Sequence, residues 1–190
     1  VYADMTIPWF LESAGPGQRA ARLDADAVAS GRATLSGKAK FVVHIPCSVR
    51  KSILVESSQP VQAVMEFGHG LFYSLNEASD HFLQQIAEDN RYVITAMDWR
   101  GMSARDMLIV SKTLLSEPSL FEAIRDNLIQ GYACKFALQH FVRNGLFETD
   151  WFDFNEDSGS VWASTKPSAI KGSTVKRVFY GISQGGILGA

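Results

Sequence analysis

From Val61 to Phe67 the chain reads as an apolar-rich run of strand length, and it stops abruptly at Gly68-His-Gly-Leu-Phe72. The pattern then changes period. Ser74 and Glu77 stand at capping-box spacing, and Ala78, Phe82, Leu83, Ile86 and Ala87 recur on one helical face, which predicts a helix ending near Asp89-Asn90. Tyr92 to Met97 is a second strand, halted by Asp98-Trp-Arg-Gly101. With about 25 residues from one strand end to the next, this strand–helix–strand order fits a right-handed parallel crossover. A longer helix is expected from Ser119, with Glu122 at capping-box spacing, to Val142, carrying Phe121, Ile124, Leu128, Tyr132 and Phe136 on its period. Asn144-Gly145 closes it, and Gly131 is a weak spot inside it. Val175 to Tyr180 is a β-branched and aromatic run that enters Gly181-Ile-Ser-Gln-Gly185 and a small-residue, helix-compatible tail.

Elsewhere the pattern is weaker. Residues 1 to 34 hold an apolar patch, Ile7-Pro-Trp-Phe-Leu11, then Gly15-Pro-Gly17 and an Ala/Asp/Arg-rich stretch. They read as an N-terminal extension, a short strand and a connector, with the domain itself spanning 35 to 190. Ala39 to Ile45 reads as a strand ended by Pro46, and Ser52 to Glu56 as another short one. From 145 to 174 no period holds. Phe147, Trp151, Phe152, Phe154 and Trp162 are interleaved with polar residues, and they either tack a long loop onto the core or form an acyl-binding wall or lid.

Composition narrows the function classes. With 46% hydrophobic and 20% charged residues, 190 residues suffice for one buried core. A net charge of −2 without a Lys/Arg cluster argues against nucleic acid as a partner. No apolar run is long enough to cross a membrane, and Val1 to Phe10 lacks the regions of a signal peptide. Because the chain opens on Val1, this says little about compartment. Cys47 and Cys134 are too few for a disulfide framework and lack metal-site spacing. Two buried free thiols are expected, with a single disulfide open to an exported protein.

The candidate chemistry sits at Gly181-Ile-Ser-Gln-Gly185. A serine on a sharp strand-to-helix turn projects its hydroxyl from the sheet edge, and glycines two before and two after it remove Cβ atoms that would collide with neighbouring backbone. Such a pentapeptide also arises by chance, so context carries the argument. Three glycine-containing turns, at Gly68, Asp98 and Gly181, follow three successive strands, and in a parallel sheet those strand ends share the edge where ligands bind.

On these residues, chiefly Gly68-His-Gly-Leu-Phe72, Asp98-Trp-Arg-Gly101 and Gly181-Ile-Ser-Gln-Gly-Gly186, the stretch from 39 to 190 resembles the N-terminal part of a serine-dependent α/β-hydrolase, and more narrowly the secreted bacterial esterase/lipase-like members. The resemblance implies an α/β fold with a mostly parallel sheet flanked by helices. It implies Ser183 as nucleophile on a small-molecule or lipid ester, Leu71 and Gln184 backbone N–H groups as oxyanion donors, and His69, Gly70, Gly181 and Gly185 in support. Gly70 would let the backbone approach. The resemblance calls for no metal or organic cofactor and implies secretion or the cell envelope.

In that fold the catalytic histidine follows the nucleophile, whereas His44, His69, His81 and His140 all precede Ser183. His69 is therefore expected to orient the oxyanion loop, and Asp98 to brace its own turn with Arg100 as a partner. The family's pattern after Arg-Gly has another Gly and a Ser, where this chain has Met102-Ser103-Ala104-Arg105. The triad acid and histidine are expected beyond Ala190, leaving residues 1 to 190 C-terminally incomplete and the elbow strand at an unprotected apolar edge. The rival from another class is a non-catalytic binding module that keeps the sheet and elbow. Acyl transfer and peptide hydrolysis by the same serine are further alternatives.

Overall fold

A computed structural model describes residues 1–13, 21–55, 57–154, 170, 172 and 174–189. The elements in chain order are β1 (Tyr2–Trp9), α1 (Ala25–Ser30), β2 (Leu35–His44), α2 (Cys47–Leu54), β3 (Ala63–Gly68), α3 (His81–Asn90), β4 (Tyr92–Met97), α4 (Met107–Leu115), α5 (Phe121–Asn144), β5 (Lys176–Gly181) and α6 (Gln184–Gly189). Short 3-10 turns, among them Leu75–Ser79 and Ala104–Asp106, fill several of the connections.

The five strands form one sheet in the order β1-β2-β4-β3-β5. The class is α/β, but the sheet is mixed where a mostly parallel one was expected. β3 pairs in parallel with β4, as the crossover through α3 requires, and also in parallel with β5, whereas β2 runs against both β1 and β4. Apolar runs mark where strands lie without encoding their direction. Helices cover both faces. Phe41, Val43, Val64, Val93 and Met97 point into the cluster shared with Cys134, Leu138 and Val142 of α5. Their neighbours Val42, Met65, Phe67, Ile94 and Ala96 point into the cluster beneath Leu83 and Ala87 of α3. The alternation is the two-residue period of the pleat.

Several expectations change. Within the expected extension at 1 to 34, Tyr2 to Leu11 belong to the body of the fold: β1 pairs with β2 over eight positions, and Ile7, Trp9 and Leu11 are in the core. In place of the expected strand at 52–56, Ser52 to Leu54 close helix α2, whose Val49 and Ile53 are buried one helical turn apart, so the short apolar run follows a helical and not a strand period; Glu56 lies outside the described residues. Ser74 and Glu77 form no capping box: Ser74 Oγ accepts from the Asn76 N–H, and α3 begins only at His81.

The long helix α5 matches its expected length but turns a different face inward. It buries Ala123, Asp126, Asn127, Gln130, Gly131, Cys134, Lys135, Leu138 and Val142, while Phe121 and Phe136 are over 60% exposed. Its buried polar groups are engaged: Asn127 accepts from Arg100 Nε, and Gln130 accepts from the Phe10 N–H and donates to Pro8 O. In the 145–154 stretch Phe152 and Phe154 are buried and Trp151 packs on Phe41 and Phe141, so these aromatics fasten the segment to the core. Trp162 lies outside the described residues. Cys134 is buried as expected, Cys47 is exposed instead, and the two are not bridged.

Candidate active site

β3 and β5 lie side by side in register, so the ends of both strands, Gly68 and Gly181, are directly paired. The Ile182 N–H donates to Gly68 O at 3.0 Å, which carries the pairing one residue into the turn. The chain then reverses at Ser183, which adopts φ +53° and leaves its side chain exposed. A serine in the left-handed region is strained, and here the strain buys an abrupt change from strand to helix, since α6 starts at the next residue.

The flanking glycines explain why the turn can be this tight. A Cβ on Gly185 would fall inside the carbonyl oxygens of Gly68 and His69, and one on Gly181 would come within 2.6 Å of the Gly186 nitrogen. Neither position admits a side chain without moving backbone. Gly70 differs: a Cβ there would make ordinary contacts, including one of 3.8 Å to Ser183 Cβ. Its place is beside the serine, and close backbone approach does not demand glycine there.

The turn from Gly68 to Tyr73 is stitched to the one after β4. The Phe72 N–H donates to Met102 O at 2.7 Å and the Ala104 N–H to Tyr73 O at 2.9 Å. His69 is fully buried between the two turns. Its Nε2 accepts the Trp99 N–H at 2.9 Å, which places the proton on Nδ1, where it donates to Gly70 O at 2.7 Å. Burial pushes the imidazole below its ordinary pKa, in keeping with a neutral ring. With both nitrogens engaged, His69 is a brace for the turn rather than a base.

Asp98 braces differently from expectation. It accepts the Leu75 N–H at 3.0 Å and faces Arg105 at 3.5 Å, while Arg100 turns to Asn127 and lies over the Trp9 ring. The Met102-Ser103-Ala104-Arg105 departure is held by Asp106, which accepts from the Gly101 N–H, the Ser103 N–H and the Ser103 hydroxyl. Asp106 was missed in the sequence, although Ser103-x-x-Asp106 carries capping-box spacing. Glu77 was misassigned: its carboxylate accepts the Gly70 N–H at 3.4 Å.

Ser183, Gly70, His69, Gly181 and Gly185 are thus brought together at one sheet edge, with Leu71 and Gln184 as the next residues along the two turns. Among the described residues, the Leu71 and Gln184 N–H groups donate to no acceptor and the Ser183 hydroxyl has no hydrogen-bond partner. Leu71 and Tyr73 present exposed apolar surface alongside. Among the described residues no group of three His, Cys, Asp or Glu side chains could hold a metal ion, and no helix is long and apolar enough to cross a membrane. No protein-family model, curated protein or solved structure matches the chain.

Proposed function

We propose that the protein is a serine carboxylic-ester hydrolase of α/β-hydrolase type, working through an acyl-enzyme at Ser183. The observation that carries this reading is the Ser183 turn: a non-glycine residue at φ +53° between strand and helix, flanked by two glycines that have no room for a Cβ. Such strain is kept where a side chain must be presented, and the presented group is a hydroxyl with no structural bond to make.

Ser183 Oγ attacks the ester carbonyl carbon while a general base takes its proton. The tetrahedral oxyanion is met by the N–H groups of Leu71 and Gln184, each worth about 10²–10³ in rate when fixed in place. Collapse expels the alcohol with the proton, and water then releases the acid by the same path in reverse. His69 is not that base, because both of its ring nitrogens are engaged.

The test is incubation of the gene product at its natural length with a fluorophosphonate, read by intact mass, with Ser183→Ala as control. One adduct on the wild type and none on the variant is the expected result. No adduct on folded wild type overturns the reading in favour of a non-catalytic binding module. Products from ester, peptide and acyl-acceptor mixtures then separate hydrolysis of esters from proteolysis and acyl transfer.

A further inference from the structure

The turn that carries Leu71 is strained and soft at once. Phe72 stands at φ +62°, a left-handed state that a bulky side chain keeps only when its surroundings fix it. Gly70, two residues earlier, is the flexible joint. The peptide plane joining Gly70 to Leu71 is pinned through its carbonyl, since Gly70 O accepts from His69 Nδ1 and from the Tyr73 N–H at 3.2 Å. The preceding plane, joining His69 to Gly70, is pinned through its N–H, and that N–H goes to Glu77 Oε2 at 3.4 Å.

Glu77 is itself on an anchored element. Its 3-10 turn, Leu75–Ser79, is fastened at the start by the Leu75 N–H to Asp98 and buries Leu75 and Ala78 in the core. The side chain reaches backwards along the chain by seven residues rather than closing a capping box with Ser74, whose hydroxyl serves Asn76. We propose that Glu77 is a positioning residue of the oxyanion turn: by accepting the Gly70 N–H it fixes the His69–Gly70 plane on one side of the glycine joint, and with the bonds to Gly70 O holding the other side, it removes the freedom of the joint behind the Leu71 N–H. This rests on the serine-hydrolase reading above, in which Leu71 is an oxyanion donor. A carboxylate acceptor suits the task because charge-assisted bonds to backbone N–H groups are stronger than neutral ones.

The test compares wild type with Glu77→Ala, Glu77→Gln and Glu77→Asp at natural chain length, by two readouts. One is hydrogen exchange of the Gly70 and Leu71 amides relative to Ile94 in β4, which reports the turn whether or not the protein is an enzyme. The other is the rate of fluorophosphonate inactivation. Glu77→Ala is expected to speed exchange at Gly70 and slow inactivation, each about tenfold, as a misaimed rather than absent donor would. Glu77→Gln keeps an acceptor of the same reach and stays within about threefold of wild type in both, while Glu77→Asp keeps the charge, loses the reach and behaves like Glu77→Ala. Should Glu77→Ala fail to fold, the Gln and Asp pair carries the comparison. Equal exchange and inactivation across all variants overturns the inference, as does a Gln variant as impaired as the Asp one. Wild type that takes up no fluorophosphonate defeats the hydrolase reading itself. Wild type and Glu77→Asp labelling at one rate defeats only the role of Glu77.

Discussion

At Ser183 a single dihedral angle connects stability to chemistry. An L-residue in the left-handed region costs about 1–2 kcal/mol, and glycine escapes that cost. Ser183→Gly is therefore expected to melt about 2–4 °C above Ser183→Ala in differential scanning calorimetry, while neither variant takes up a fluorophosphonate. Part of that gap is offset by the looser unfolded chain of the glycine variant, so an unresolved or reversed difference would mean that the turn stores no strain. Arg91, also at positive φ, caps the end of α3, where a left-handed residue is ordinary. His69 illustrates a second residue-scale point: chain order argued against it as the base, and the two bonds of its ring supply an independent reason.

Among the elements, α5 sets local propensity against packing. Gly131 lies in mid-helix, where alanine would favour the helix by about 1 kcal/mol. Yet a Cβ at 131 would sit 2.9 Å from Arg100 O, a backbone atom of the turn after β4. The overlap outweighs the propensity, so Gly131→Ala is expected to lower the melting temperature by several degrees, and a rise would show that the turn yields easily. The helix was legible in the sequence because its period runs for six turns. Its inner face was not, because an apolar criterion selects Phe121 and Phe136 over Asn127 and Gln130. What buries the amides is partners such as Pro8, 122 residues away, which no local window contains. The same limit applies to α4, for which no period was read: it buries Thr113 and exposes Leu108, Leu114 and Leu115.

On the scale of the whole molecule, strand positions were readable to within a few residues from β2 onwards, and the meeting of three turns at one edge followed from them. The parallel pairing of β3 with β4 was readable from the crossover, but the antiparallel direction of β2 was not, nor was the membership of β1 in the sheet, since pairing with β2 is decided by register across more than 25 residues. Electrostatics is also set at this scale. Glu66 lies on the β3 face covered by α5, where burial lifts its carboxyl above the usual 4.5 despite a hydrogen bond from Gln139. On raising pH, the unfolded chain releases this proton before the folded one does. Stability is lost as pH climbs from 4.5 through the folded value and stays lower above it. Glu66→Gln, which still accepts from Gln139, is expected to melt above wild type at pH 7, with the gap closing towards pH 4.5. A gap that widens on acidification would reverse the assignment.

The pairing of β3 with β5 has a kinetic consequence. Ala63 and Lys176 are partners across 113 residues of chain, so this contact closes a very long loop before it gains anything in return. Crossovers such as β3–α3–β4 close over far shorter spans. Refolding should thus build the body of the sheet first and add the serine turn among its last steps, so that a pulse of covalent label during refolding would mark Ser183 later than the core amides become protected.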